Sequence, residues 1–396
     1  MTRRRHREKR IANQIRQLPW QDVRNNYAPV EILSDDQVET IIETALNVLA
    51  TQGMRFLEPS SRDLLRREGA DIDDDEFVVR FEPDMVREKV SLAPSEFKLR
   101  ARNPAHDLMI GGNQIVFASV GGPAFCSDLD KGRRPGKYEE MCDYLRLVQS
   151  LNILHQEGGG AFEAMDLPAA TRHLDLYLAQ HRLLDKNCQA YALGRERTVD
   201  SIEMACIALD TNREELAKRP ALLAIINTNS PLVFDVQMTE AVLELAAAGQ
   251  ACCITPFTLA GSMSPATLAG TLMQQTAEVL AVATFAQTVK PGAPIVYGSF
   301  SSNVDMQSGA PALGTPEYTK SAQASGQVAR ALGLPYRSSN TTVSNCVDAQ
   351  AAFESEMSLW GSIMGHANLV NHAAGWLEGG LTASFEKLII DAEMLQ

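Results

Sequence analysis

With 396 residues, 45% hydrophobic and 21% charged, the chain can build one large α/β barrel with additions, or two ordinary domains. A formal net charge of −13 argues against nucleic acid, whose binders present a basic face. No run approaches the about 18 apolar residues of a membrane span, and the seven scattered cysteines, without a CxxC pair, fit reduced core thiols in a cytoplasmic protein and no metal site.

Residues 1–32 read as a basic, flexible N-terminal tail, Met1–Arg10 being a solvated terminus with no apolar run behind it. Residues 33–114 read as an α+β cap segment. Ser34 is placed to cap a helix whose apolar residues Val38, Ile41, Ile42, Ala45, Leu46 and Leu49 recur at helical spacing up to Gly53. Shorter helices are expected at Ser60–Glu68 and Pro83–Val90, and extended pieces at Phe77–Phe81 and Phe97–Ala101. No βα rhythm is present there.

From 115 to 396 the rhythm is regular. Short apolar, β-branched runs lie at Ile115–Ser119, Asn152–Gln156, Cys188–Ala192, Leu223–Asn227, Ala251–Thr255, Ile295–Tyr297, Pro335–Ser338 and Leu369–His372. Helical patterns follow at Tyr138–Gln149, Ala169–Leu184, Thr198–Ala208, Val236–Ala248, Ala266–Thr288, Glu317–Leu332, Asp348–Met364 and Ala383–Leu395. Such an alternation, at a repeat of about 35 residues, predicts an α/β fold, a (β/α)8 TIM barrel. A doubly wound open sheet is the alternative, but no GxGxxG opens a helix after a strand.

Chemistry in such barrels sits where the strands end. Reading just past each strand gives Ser119 with Gly121-Gly122, then Gln156, Glu157 and a triple glycine, Tyr191, and Asn227-Thr228-Asn229. Phe257, Tyr297, Phe300, Arg337, Asn340, His372, Trp376 and Glu378 complete the set. The loop from Gly298 to Thr315 is long for a compact domain, as active-site loops often are. Glycines at loop starts (Gly121, Gly158, Gly298, Gly375) suggest an open rim, recurring aromatics a cation-holding wall, and Glu157 a weakly acidic mouth. The helical stripe Met263, Leu268, Leu272 and Val279 reads as core. There is no GxSxG elbow, no P-loop, and no strand-end lysine for a Schiff base.

Several long stretches then resemble one family: HLDLYLAQHRLLDK (173–186), TPFTLAGSMSPATLAG (255–270), PIVYGSFSSNVDMQSGAPALGTPEY (294–318), DAQAAFESEMSLWGSIMGHANLVNHAAGWLEGGL (348–381) and SFEKLIIDAEML (384–395). They are similar to the trimethylamine methyltransferase family of corrinoid-dependent enzymes. The resemblance implies a TIM barrel, a homo-oligomer, and no tightly bound cofactor, the corrinoid (cobalamin) being carried by a partner protein that accepts the methyl group. It also implies a C-terminal piece beyond the eighth helix. Archaeal members carry pyrrolysine in the mouth, and Arg337–Asn345 is the stretch expected to correspond. With only standard residues, the chain is more similar to relatives resembling glycine betaine methyltransferases. The donor is then a small quaternary or tertiary methylamine, with trimethylamine as the rival substrate and a non-catalytic amine-binding scaffold as the rival role. On this reading Glu157 and His372 are catalytic. Phe257, Tyr297, Phe300, Arg337, Asn340 and Trp376 bind substrate, and the rim glycines Gly121, Gly158, Gly298 and Gly375 admit the corrin.

Overall fold

The computed structural model describes residues 16–396. Eight parallel strands run in chain order around a barrel: β1 (Gln114–Ser119), β2 (Gln156–Glu157), β3 (Asn187–Cys188), β4 (Leu223–Ile226), β5 (Ala251–Ile254), β6 (Ile295–Gly298), β7 (Tyr336–Ser339) and β8 (Leu369–Ala374). Strand β8 pairs back with β1, and the single parallel bridge Gln189–Leu223 joins β3 to β4. The helices following the strands are α1 (Tyr138–Ser150), α2 (Arg172–Leu183), α3 (Gly194–Ala208), α4 (Val236–Ala247), α5 (Leu268–Val289), α6 (Pro316–Ala331), α7 (Ala349–Met364) and α8 (Phe385–Leu395). The second strand lies later than the sequence suggests. Asn152–Leu154 turns instead, and pairing starts where the His155 amide donates to the Phe117 carbonyl, 2.9 Å away.

The cap segment splits into two parts with different tasks. Ser34 caps the helix Asp35–Thr51 through a reciprocal box with Gln37. That helix buries the expected stripe of Val38, Ile41, Ile42, Ala45, Leu46 and Leu49 against α5. Helix α5 is therefore covered on both sides, and Thr271 to Gln287 is almost wholly buried. A small sheet beside it pairs Met54–Phe56 in parallel with Val233–Phe234 from the loop after β4.

The hairpin Glu96–Leu99/Leu108–Gly111 does the other task. Phe97, Leu99, Leu108 and Ile110 pack with the interior residues Val116, Ala118, Leu223, Ala251, Cys253, Val296 and Leu369. The hairpin thus plugs the N-terminal end of the barrel with a dry core, while Glu96 and Lys98, on the alternate face, stay exposed.

The basic head Met1–Arg10 lies outside the described residues. From 16 to 32, however, the chain is a strap and not a free tail. Val23–Arg24 pairs antiparallel with Ile115–Gln114, and the Asn25 side chain donates to the Ile363 carbonyl at 2.6 Å.

Candidate active site

A cavity of about 730 Å³ opens at the C-terminal ends of the strands. Its wall from β5 to β8 is aromatic. Phe257 and Phe300 stand 5.2 Å apart by ring centroids, Phe300 and Trp376 5.9 Å, and Trp376 and His372 4.4 Å. The Trp376 indole is fixed by donating to the Thr342 carbonyl at 3.0 Å. Gly380 lies against that ring, and a Cβ there would fall 2.6 Å from it. His372 reaches the cavity because the β8–β1 register shifts between Val370 and Ala374, and His372 itself takes φ +53°, rare for a residue with a Cβ. Burial and the nearby Arg337 guanidinium push the imidazolium well below its usual range, so His372 is neutral.

Among the described residues, Arg337 is the one charged residue lining the cavity. Its side chain is 1% exposed and reaches the cavity from the middle of β7. Its guanidinium carbon sits 5.4 Å from the Phe300 ring centre, Nη1 donates to the Ser299 carbonyl at 3.0 Å, and Nε has no partner. Among the described residues no carboxylate pairs with it, and no Asp or Glu lines the cavity. A buried cation without a counter-ion is costly. Arg337 thus faces the cavity as a guanidinium without a carboxylate partner among the described residues.

Phe257, Phe300, Arg337, His372 and Trp376 thus come together, and Gly121 and Gly158 also line the cavity. Glu157, Tyr297 and Asn340 do not. Glu157 is fully buried behind the wall, where its two oxygens accept from the Gly159 amide (2.9 Å), the Gly160 amide (2.8 Å) and Gln180 Nε2 (2.5 Å). Burial raises its pKa despite those donors. It holds the triple-glycine loop in place and adds no acidity to the mouth. The Tyr297 hydroxyl lies in the layer between barrel and helices, 2.9 Å from both Gln275 Nε2 and the Thr276 hydroxyl. Asn340 is fully buried and donates to the Ala373 carbonyl at 2.9 Å.

The glycines serve packing more than openness. A Cβ at Gly121 would lie 1.9 Å from the Gly158 carbonyl oxygen, at Gly298 2.0 Å from Thr255 Oγ1, and at Gly375 2.0 Å from the Tyr144 hydroxyl. Open space lies instead beside Gly122 and Gly379, both on the cavity wall.

Other residues carry the site without an obvious sequence signal. Gln189 Nε2 donates to Gln156 Oε1 (2.9 Å) and Asn371 Oδ1 (2.7 Å), which makes an amide chain across the floor. Met263 faces the cavity, whereas Leu272 and Val279 of the same stripe are core. Glu278, fully buried on α5, accepts from Thr228 Oγ1, Ser230 Oγ (2.7 Å) and the Leu232 amide (2.9 Å), and so fixes the loop after β4. A run of strand-end amides can suggest a polar wall, but not the acid fifty residues away that holds it.

The trimethylamine methyltransferase family profile matches residues 1–396. The chain belongs to the trimethylamine methyltransferase family. It is 38% identical to a glycine betaine methyltransferase of Desulfitobacterium hafniense (strain Y51), over 92% of this chain and 75% of that one. It is 26% identical to a proline betaine:corrinoid methyltransferase of Eubacterium limosum, over 91% and 76%. A trimethylamine methyltransferase of Desulfitobacterium hafniense (strain DSM 10664 / DCB-2) is 25% identical over 91% and 73%. In fold, the monomethylamine methyltransferase of Methanosarcina barkeri superposes with a TM-score of 0.63 at 9% identity, covering 91% of this chain and 73% of that one. Of the stretch Arg337–Asn345, expected to correspond to the pyrrolysine region of this family, only Arg337 lines the cavity. Thr342, Val343 and Ser344 are instead drawn onto the buried Glu354 carboxylate.

Proposed function

We propose that this family member is a betaine:corrinoid methyltransferase, moving one N-methyl group from a quaternary amine that also bears a carboxylate to the cobalt(I) of a corrinoid protein. The observation that carries this reading is Arg337, a buried cation facing a cavity that offers it no anion. A betaine brings the carboxylate that Arg337 lacks, as a charge-assisted hydrogen-bond acceptor. Choline or trimethylammonium would add a second positive charge beside the first. The quaternary nitrogen is suited to the faces of Phe257, Phe300 and Trp376, where each ring contributes ~0.5–2 kcal/mol.

The reduced corrinoid supplies the nucleophile and keeps the methyl group. In the donor, the N–CH3 bond breaks and its electron pair stays on nitrogen, so the product is a neutral tertiary amine and no proton has to move. The residues here are asked only to bind, align one methyl and exclude water. His372, its imidazolium disfavoured by burial and by Arg337, packs at a tilt against Trp376, helps position the indole and adds no second cation. The open rim at Gly122 and Gly379 leaves room for a bulky acceptor to approach.

The test is anaerobic methylation of cob(I)alamin, followed by the absorbance of methylcobalamin, with glycine betaine, proline betaine, choline and trimethylamine in parallel. Turnover with the carboxylated donors and little with the other two supports the reading. Equal turnover with choline, or none with any donor, contradicts it.

A further inference from the structure

The contacts proposed for a betaine leave the cavity's other wall unused. On the β1–β4 side glycines (Gly121, Gly122, Gly158 and Gly159) and the amides and hydroxyls of Asn227 to Ser230 stand among Gln189, Tyr191 and a few aliphatic side chains. Asn227 and Asn229 are exposed, and their side-chain amides make no hydrogen bond among the described residues. Exposed asparagines are ordinary on a mobile loop, but this loop is held from several directions. Besides the Glu278 contacts, Asn229 and Val233 exchange backbone hydrogen bonds of 2.9 and 3.2 Å. Val233–Phe234 is then a strand of the cap sheet. A fully buried carboxylate and a strand pairing are thus used to keep two unpartnered amides facing a cavity far larger than a betaine fills.

We propose that Asn227 and Asn229 are the recognition wall for the corrin ring of the methyl acceptor, pairing with the amide side chains around its edge. This rests on the methyltransferase reading above. The chemistry is complementary. Each asparagine offers two donors and an acceptor, and the corrin periphery is a ring of carboxamides that offer the same. Gly122, where a Cβ would meet nothing within 4 Å, flanks the amides and leaves room for a flat macrocycle. A wall of charged residues would bind the same ring less selectively.

The experiment is calorimetric titration of the full chain with hydroxocobalamin and, separately, with glycine betaine, for wild type and Asn227→Ala/Asn229→Ala. Loss of two neutral hydrogen bonds, at ~0.5–1.5 kcal/mol each, predicts about ten-fold weaker cobalamin binding. The KM for cob(I)alamin should rise to match, while the betaine dissociation constant stays within about two-fold, which also shows that the variant is folded. A corrin whose side-chain amides are all converted to esters keeps its acceptors and loses its donors, so wild type should bind it more weakly than cobalamin while the variant, which has no asparagine oxygen to accept, should lose less between the two. Unchanged cobalamin binding in a variant that still binds betaine overturns the wall and leaves the methyltransferase reading standing. A wild-type chain that methylates no corrinoid with any donor overturns both.

Discussion

The two halves of the barrel mouth are built from opposite materials. From β5 to β8 the wall is aromatic, with a buried guanidinium set among the rings; from β1 to β4 it is built of glycines, amides and aliphatic side chains, with Tyr191 the one aromatic among the described residues. The first half fits a small zwitterion, and the second has little that would grip one. Charge is divided between the halves in the same way. The carboxylates near the mouth, Glu157, Glu278 and Glu354, all face away from it and accept loop amides or hydroxyls. They shape the walls, and the one ionic group offered to a ligand is a cation.

That contrast can be broken most sharply at Arg337. Arg337→Met should weaken glycine betaine by about 2–5 kcal/mol, at least ~30-fold, in calorimetry. The same change should raise the thermal midpoint of the apo protein, because a buried charge without a partner is removed. Next come the rings. Phe300→Leu or Trp376→Leu should each cost ~0.5–2 kcal/mol in betaine affinity, seen as a higher KM, with less effect on a neutral isostere of the donor.

On the opposite wall, Glu157→Gln should act on stability and leave betaine affinity nearly unchanged. An amide NH2 would then face one of the donors that the carboxylate satisfied, at about 1–3 kcal/mol in urea unfolding. The smallest effect is expected at Tyr297→Phe, which removes a hydroxyl paired with Gln275 and Thr276. About 0.5–1.5 kcal/mol of stability should go, with steady-state kinetics unchanged.

Acid separates folding from chemistry in a related way. Burial lowers His155 from 6.5 to about 4 and lowers His372 as well. A depressed histidine pKa means the unfolded chain binds more protons between the two values. Stability from these groups is therefore full above pH 6.5 and is lost as pH falls toward 4. Between pH 7 and 9, methyl transfer from a quaternary donor should show no ionisation from the donor or from His372.

The barrel was legible in the sequence because short apolar runs such as those at β4, β6 and β8 alternate with helical patterns, and the stripe from Val38 to Leu49 has one apolar face. Which way each side chain turns at a strand end was not. Residues alternate between interior and helix layer. In β6, Val296 packs into the interior, so Tyr297 must face α5. In β2, Gln156 joins the interior amide chain, so Glu157 turns outward to Gln180 of α2. In β7 the same parity favours the site. Ser338 bonds to Ser362 on α7, and Arg337 faces the cavity. His372 owes its position to a bulge that no apolar pattern announces.

The most direct measurement compares glycine betaine with its methyl ester, which keeps the quaternary nitrogen and loses only the negative charge. If Arg337 is the counter-ion for a substrate carboxylate, wild type should bind the ester at least ~30-fold more weakly than the acid, and Arg337→Met should bind the two about equally. Equal affinities in wild type would contradict the account.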